Sequence, residues 1–177
     1  ATNAFTGAMT ITTNDSSGTD ADVTIDGGVQ ALIIAASTID GDLTLTTGDS
    51  NGITDSGTVT VGGNFSATTD ANNGVINVGT MAVDGTVALN TNGNGAATIV
   101  NDAGLNFAAS TVGGALSATA TTANITDTGA LAITGTTTLV TSADGGTIAL
   151  DVATNAFTGA MTITTNDSSG TDADVTI

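Results

Sequence analysis

Aspartate is the only ionisable side chain in this sequence, and it limits the chemistry open to the protein. All 17 acidic residues are Asp, and the sequence contains no Lys, Arg, His, Cys, Trp, Tyr or Pro. Oxygen ligands without nitrogen or sulfur suit hard cations such as Ca²⁺ and Mg²⁺. We predict that no cofactor is required and that Ca²⁺ is the candidate ion. The candidate ligands are Asp15, Asp20 and Asp22 in a long loop, and an Asx corner column of Asp55, Asn77, Asp102 and Asp127.

The alternative to metal binding is that these aspartates are solvated turn residues which keep the protein soluble. The usual general acid–base residues His, Glu, Lys, Tyr and Cys are missing, so we expect no enzyme activity. Paired aspartates of a glycosidase are the one catalytic arrangement that the composition leaves open. A net charge of −17 without any cation disfavours binding to nucleic acid. No apolar run approaches the length of a transmembrane helix, so we expect no membrane insertion.

The longest internal repeat covers residues 1–25, which recur letter for letter as residues 153–177, at an offset of 152. A globular domain has no reason to begin and end with the same segment, whereas a piece of a tandem array does. We therefore predict a single continuous solenoid over residues 1–177. Residues 1–152 are its repeat unit, and residues 153–177 are the start of the next unit.

A shorter motif of the form apolar-x-Gly-x-apolar-x-apolar recurs inside the long repeat. Its anchor glycines are Gly41, Gly63, Gly85, Gly114, Gly135 and Gly159, and Gly7 repeats the last of them. The alternation has the period of a β-strand, and Asx-x-Gly corners separate the strands. The fold class that this predicts is all-β, a parallel β-helix (β-solenoid) with about three strands per coil and about six coils per 152-residue repeat. A β-sandwich array is the main competitor, but four Phe are few for its cores.

Stacking the motifs predicts columns of equivalent side chains along the solenoid. The first inward column is Leu43, Phe65, Val87, Leu116, Thr137 and Met161. An outward column contains small hydroxyl side chains and is interrupted only by Ala88. Its members are Thr44, Ser66, Ala88, Ser117, Thr138 and Thr162. Flat ladders of threonine are similar to those of ice-binding solenoids, although ordinary β-propensity explains them too.

Residues 53–63 (ITDSGTVTVGG) and 125–135 (ITDTGALAITG) resemble repeats of filamentous-haemagglutinin-type proteins. Those are long bacterial surface or secreted exoproteins. The resemblance implies a right-handed β-helix and a role at the cell surface.

We therefore expect a structural repeat of an extracellular or cell-surface β-solenoid filament, with an adhesive, sheath or matrix function. Its expected partners are copies of itself end to end, as a covalent array or a polymer, with lateral bundling as a further association. The first alternative is the stalk of a cation- or sugar-binding adhesin, and the second is an ice-binding solenoid.

Overall fold

The computed structural model describes residues 3–14, 18, 20–170 and 172–177, which form twenty β-strands. The first sheet contains β1 (Val23–Asp26), β4 (Leu43–Thr47), β7 (Phe65–Thr69), β9 (Thr86–Thr91), β11 (Leu105–Phe107), β12 (Ser110–Val112), β14 (Ile125–Asp127), β15 (Leu131–Ile133), β17 (Ile148–Ala149), β18 (Ala156–Phe157) and β20 (Val175–Thr176). The second sheet contains β2 (Leu32–Ile34), β3 (Ser37–Ile39), β5 (Ile53–Asp55), β6 (Val59–Val61), β8 (Ile76–Val83), β10 (Ala97–Asn101), β13 (Leu116–Ala120), β16 (Thr137–Asp144) and β19 (Met161–Asn166). Within this described part of the chain, no helix could span a membrane.

Every pairing between these strands is parallel, and each strand pairs with strands of the neighbouring coils. The period-2 pattern produces this arrangement, because alternate side chains point to opposite faces of a strand. In β4, for example, Leu43 and Leu45 are buried whereas Thr44 and Thr46 are only half-buried. The predicted all-β parallel β-helix is confirmed.

Aliphatic side chains fill the core between the sheets, and Phe65 and Phe107 are the largest fully buried residues. Threonine hydroxyls satisfy carbonyl oxygens where strands end. Three buried threonines donate in this way: Thr47 to Gln30 (2.6 Å), Thr69 to Gly74 (2.7 Å) and Thr141 to Gly146 (3.0 Å). These buried hydroxyl groups are therefore paired at the corners.

The 152-residue repeat spans seven coils, one more than the glycine spacing predicts. One ladder of the second sheet shows this by direct pairing: Leu32, Ile53, Ile76, Ala97, Leu116, Thr137 and Met161. Six steps join Leu32 to Met161, and the bridge from Met9 to Ile34 adds a seventh. Met9 and Met161 are equivalent positions of the long repeat.

The sixfold count is wrong because the glycine motif changes sides along the stack. In the first three copies the motif leads from the second sheet into the first, as between β6 and β7. In the last three copies it leads from the first sheet into the second, as between β12 and β13. The strands β9 and β10 form the coil where the change occurs.

The predicted single columns are consequently split between the two sheets. Leu43, Phe65 and Val87 stack in the first sheet. Leu116, Thr137 and Met161 stack in the second. The outward hydroxyl column divides at the same place, so neither sheet carries the continuous ladder predicted from the motif.

The stacked corner glycines are required by close packing of successive coils. A Cβ atom at Gly85 would collide with the backbone of Gly63, and one at Gly135 would collide with the backbone of Gly114. Direct hydrogen bonds join the same pairs, each with 3.0 Å between the amide nitrogen of the later glycine and the carbonyl oxygen of the earlier one. These contacts explain glycine at both positions, whereas a Cβ atom at Gly7 would meet no atom within 4 Å.

Candidate functional site

A ladder of Asx side chains links successive coils at one corner. Asp22 Oδ1 accepts a hydrogen bond from the backbone amide of Asp42 (2.8 Å), and Asp42 Oδ1 accepts one from the amide of Asn64 (2.6 Å). Asn64 Oδ1 in turn accepts from the amide (2.9 Å) and the hydroxyl (2.8 Å) of Thr86. Each side chain therefore satisfies a donor one coil further on, where the sheet hydrogen bonding is interrupted.

Asp55 and Asp127 also accept hydrogen bonds from backbone amides of the next coil, but they lie in different sheets. Asp55 ends β5 and accepts hydrogen bonds from the amides of Gly79 (3.0 Å) and Thr80 (2.6 Å). Asp127 ends β14, is 8 % exposed, and accepts from the amide of Asp151 (3.1 Å). The two carboxylates lie in different sheets and face different corners, so they do not belong to one column.

The remaining predicted ligands are dispersed as well. Asp15 lies outside the described residues, and Asp20 and Asp102 are exposed. Asn77 pairs with Thr54 rather than with Asp55, so it is one position out of the predicted column. Among the residues that the structure describes, no group of three carboxylates is close enough to hold a metal ion. Cation binding stays a prediction, and the carboxylates that are hydrogen-bonded serve as acceptors between coils.

The pKa of the Asp144 carboxyl is lowered by hydrogen bonds from one short segment. The largest cause is the side-chain hydroxyl of Ser169, followed by the backbone amide of Ser168. The amide nitrogens of Ser168 and Ser169 lie 2.8 Å and 3.1 Å from Asp144 Oδ1. These bonds favour the charged carboxylate and hold residues 168–169 on the preceding coil.

In the described part of the chain, two buried polar side-chain atoms have no hydrogen-bond partner, Thr137 Oγ1 and Asn106 Oδ1. Thr137 occupies an inward position between Leu116 and Met161, where its neighbours are aliphatic. Asn106 lines an open groove of about 290 Å³ together with Asp84 and Asn124. Neither the groove nor the core position brings together a set of groups for catalysis.

The first copy of the repeated segment, residues 1–25, shows how this sequence contacts the coil that follows it. Its Thr13 hydroxyl accepts a hydrogen bond from the amide of Asp40 (2.9 Å). Its Ile11 amide donates to Ser37 Oγ (3.0 Å). In the first sheet, Val23 pairs with Leu43. These contacts use one side of the segment.

The second copy, residues 153–177, shows how the same sequence contacts the coil that precedes it. Asn155 accepts a hydrogen bond from the amide of Leu131 (2.8 Å) and donates to Asp127 Oδ2 (2.6 Å). Asn166 Nδ2 donates to the carbonyl oxygen of Ser142 (2.9 Å). These contacts use the other side of the segment, so the two copies together display both sides.

The two copies pair with the second sheet in registers that differ by two residues. Met161 continues the ladder of Leu32, whereas its counterpart Met9 bridges Ile34. Seven complete coils therefore contain two residues more than the 152-residue repeat. Because two is an even number, the shift keeps inward side chains inward.

The first sheet shows the same displacement. Val23 heads the ladder that reaches Phe107, whereas its counterpart Val175 ends the ladder that contains Leu105. Both sheets thus show the same shift of two residues between consecutive repeats.

Sequence reasoning missed Asp42, Asp144 and Asn155, which carry the contacts between coils. Asp42 follows an anchor glycine directly, and Asn64 and Thr86 occupy the same place in the next two motifs. The alternation of the motif places that position on the outward face of a strand and says nothing of its partner. Its shared ability to accept or donate a hydrogen bond was the signal that could have found the ladder.

Comparison with known proteins gives one match. No curated protein and no solved structure matches the chain. A family model described as repeats of unknown function (DUF5649) matches residues 20–76 and 94–164, which is more than half of the chain. Together with the stacked parallel coils, this match shows a β-helical repeat protein, and the chain belongs to the DUF5649 family of repeats.

Proposed function

We propose that this chain is a structural repeat of an extracellular β-solenoid filament. One observation carries the proposal: the repeated segment makes strand pairings with the following coil in its first copy and with the preceding coil in its second. Superposing the copies gives a junction in which residues 137–150 and residues 26–47 lie on opposite sides of one segment. The solenoid can therefore continue from unit to unit in the same parallel pairing.

The composition supports a role outside the cell. The chain has no Lys or Arg, so trypsin-like proteases find no cleavage site in it. Its resemblance to filamentous-haemagglutinin-type repeats also supports an extracellular location and an adhesive, sheath or matrix function. We attribute no catalysis to the repeat, because Asp is its only ionisable side chain.

The register shift defines the shape of such a filament. A displacement of two residues moves each unit by about 6.6 Å along the coil path relative to the unit before it. Equivalent surface positions therefore wind around the filament instead of lying along one line. Seven coils advance the axis by about 34 Å per unit at the spacing of β-sheets.

The test is a longer chain in which Ile177 is followed by a further copy of residues 26–177. We expect one cooperative unfolding transition, a higher melting temperature than for the 177-residue chain, and a rod about 34 Å longer by electron microscopy. The matched control carries the added residues in scrambled order. A second, separate melting transition or a rod of unchanged length would contradict the proposal.

A further inference from the structure

Four Asn-Gly pairs lie at one corner of three successive coils, where a strand of the first sheet leads into a strand of the second. They are Asn51–Gly52 between β4 and β5, Asn73–Gly74 between β7 and β8, and Asn92–Gly93 and Asn94–Gly95 between β9 and β10. We propose that Asn92 is a site of spontaneous deamidation in the folded chain, whereas the fold protects the other three asparagines. The inference concerns a modification of the chain and does not rest on the proposed filament.

Deamidation converts the side-chain amide of asparagine into an acid, with water as the only co-reactant. The backbone nitrogen of Gly93 attacks Cγ of Asn92 and forms a bond to it. The bond from Cγ to Nδ2 breaks, and ammonia leaves with the proton of the Gly93 amide. Water then adds to either carbonyl carbon of the succinimide ring and yields aspartate or isoaspartate. The reaction makes asparagine a thermolabile residue, and glycine in the next position leaves ring closure unhindered by a Cβ atom.

The state of the glycine amide decides which pair reacts. Its nitrogen must lose its proton and approach Cγ of the preceding residue. A buried amide that donates a hydrogen bond can do neither until the turn opens locally, and that opening costs free energy. An exposed amide without an acceptor needs no such opening.

Three of the four glycines are protected in this sense. Gly52, Gly74 and Gly95 are buried, and each of their amides donates to the carbonyl oxygen three residues earlier. The acceptors are the carbonyl oxygens of Asp49 (3.1 Å), Ala71 (3.1 Å) and Asn92 (3.0 Å). In these three pairs the attacking nitrogen is withheld by the turn itself.

The side chains of two asparagines are held as well. Asn51 Nδ2 donates a hydrogen bond to Asp49 Oδ1 (2.9 Å). Asn73 Oδ1 accepts one from the backbone amide of Asn94 (2.9 Å). Both bonds restrict the side-chain rotation that ring closure requires.

Asn92 and Gly93 lack these protections. Both residues are exposed. Gly93 is the second residue of the turn that the bond from the Gly95 amide to the Asn92 carbonyl oxygen closes, and a turn does not use the amide at that position. Among the residues that the structure describes, none accepts a hydrogen bond from the Gly93 amide or bonds to the Asn92 side chain. The reacting nitrogen and carbon are therefore accessible without local unfolding.

Packing between coils keeps glycine at position 93. Gly93 has a φ of +57°, and a Cβ atom there would collide with Asn73 Oδ1 of the preceding coil. Towards the following coil, a Cβ atom at Gly113 would collide with the carbonyl oxygen of Gly93. A larger residue at position 93, which would slow ring closure, is thus excluded by the contacts that stack the coils.

The reaction changes both the charge and the main chain of this corner. Either product adds one negative charge to the −17 of the chain. Isoaspartate also adds a methylene group to the main chain and displaces the Asn92 carbonyl group that accepts from the Gly95 amide. Because Gly93 packs closely against Asn73 and Gly113, we expect the isoaspartate form to melt at a lower temperature than the unmodified chain.

The experiment follows deamidation in the full chain at mildly alkaline pH, where the amide nitrogen loses its proton more often. Cleavage before aspartate separates the corners into residues 49–54, 70–83 and 84–101, and fragment masses then assign each new acid to one asparagine. The reference is the same chain in denaturant at the same pH, in which all four amides are exposed.

We expect Asn92 of the folded chain to deamidate at least about tenfold faster than the other three asparagines, and we expect the four rates to converge in denaturant. Asn92→Gln should abolish the early product, because its longer side chain would have to close a larger ring. The matched control Asn94→Gln should leave the rate at Asn92 unchanged. Circular dichroism checks that both variants retain β-structure.

Equal rates at the four pairs of the folded chain, or faster loss at any other pair, would overturn the proposal. So would an early product that persists in Asn92→Gln. The isoaspartate form, isolated by anion exchange, is melted beside the unmodified chain. An unchanged melting temperature would contradict the close packing on which glycine at position 93 depends.

Discussion

The two copies of the repeated segment share one sequence and differ in strand structure. The second copy forms β19 against β16, with four consecutive pairs from Thr137–Met161 to Val140–Thr164. The first copy faces β2 and β3, and its described residues form two isolated bridges there. Two residues lie between Met9 and Thr12, but three lie between their partners Ile34 and Thr38, so the ladder is interrupted between the bridges. Strand formation thus depends on the neighbouring coil, since local propensity is the same in both copies.

The largest effect should come from comparing a core position covered on both sides with one covered on a single side. Leu139 is fully buried and pairs with Ala118 on one side and Ile163 on the other. We expect Leu139→Ala to lower the free energy of unfolding by about 3 kcal/mol. Ile163→Ala should cost about half as much, because the partly buried Ile163 lies on the last coil of its ladder. Chemical denaturation measures both, and equal losses would contradict one-sided cover of the second copy.

A pair of equivalent asparagines tests the polar contacts of the segment. Asn155 bonds to Asp127, Leu131 and Leu150, whereas its counterpart Asn3 is exposed and donates to the carbonyl oxygen of Asp26. We expect Asn155→Ala to destabilise the chain by about 1–2 kcal/mol, because it leaves the Asp127 carboxylate without this donor. Asn3→Ala should change stability by only a few tenths. If thermal melting shows equal effects, the preceding coil does not hold the second copy through this residue.

The motif predicts the parallel β-helix because it determines which side chains face inward. It does not predict the side of the solenoid on which each copy lies. The steps of 34 residues from Gly7 to Gly41 and of 29 from Gly85 to Gly114 are longer than the other steps and are what a long coil would also give. In the structure they mark the places where the motif passes from one sheet to the other. Glycine spacing alone cannot separate a bulging coil from a motif that changes sheets.

The candidate metal residues show a second limit of sequence reasoning. Asp55 and Asp127 occupy the same Asx-x-Gly corner pattern. Asp55 nevertheless accepts from an amide within β8 and Asp127 from the amide of Asp151 beyond β17, because the backbone donor left open at each corner decides where the side chain turns. Composition predicts that acidic side chains line the corners. Only the stacking of specific coils shows which donor each of them receives.

Thr137 offers a way to strengthen the attachment of the second copy. Its buried hydroxyl oxygen has no partner, and the residue pairs directly with Met161. Thr137→Val keeps the shape and removes the unpaired polar group, so we expect a gain of about 1 kcal/mol in the free energy of unfolding. The neighbouring Thr138→Val, which changes an outward side chain, is the control and should give a smaller change. A loss of stability in Thr137→Val would mean that the hydroxyl finds a partner in solution.

Acid should loosen the second copy through Asp144. Because hydrogen bonds from Ser169 and Ser168 lower the pKa of this carboxyl in the folded chain, its contribution to stability is present above the unfolded pKa. It is lost as the pH falls through the lower, folded value. Hydrogen exchange of the β19 amides, corrected for the intrinsic pH dependence of amide exchange, should therefore accelerate below about pH 4, where free aspartates begin to protonate.

Asp144→Asn should weaken that acceleration, because the amide does not titrate in this range. The exposed Asp172 belongs to the same segment, and Asp172→Asn is the matched control that should keep the wild-type profile. If Asp144→Asn keeps the full pH response, another carboxylate holds the segment. The first copy gives the internal comparison: its bridges at Met9 and Thr12 involve no carboxylate, so exchange there should respond less to acid than exchange in β19.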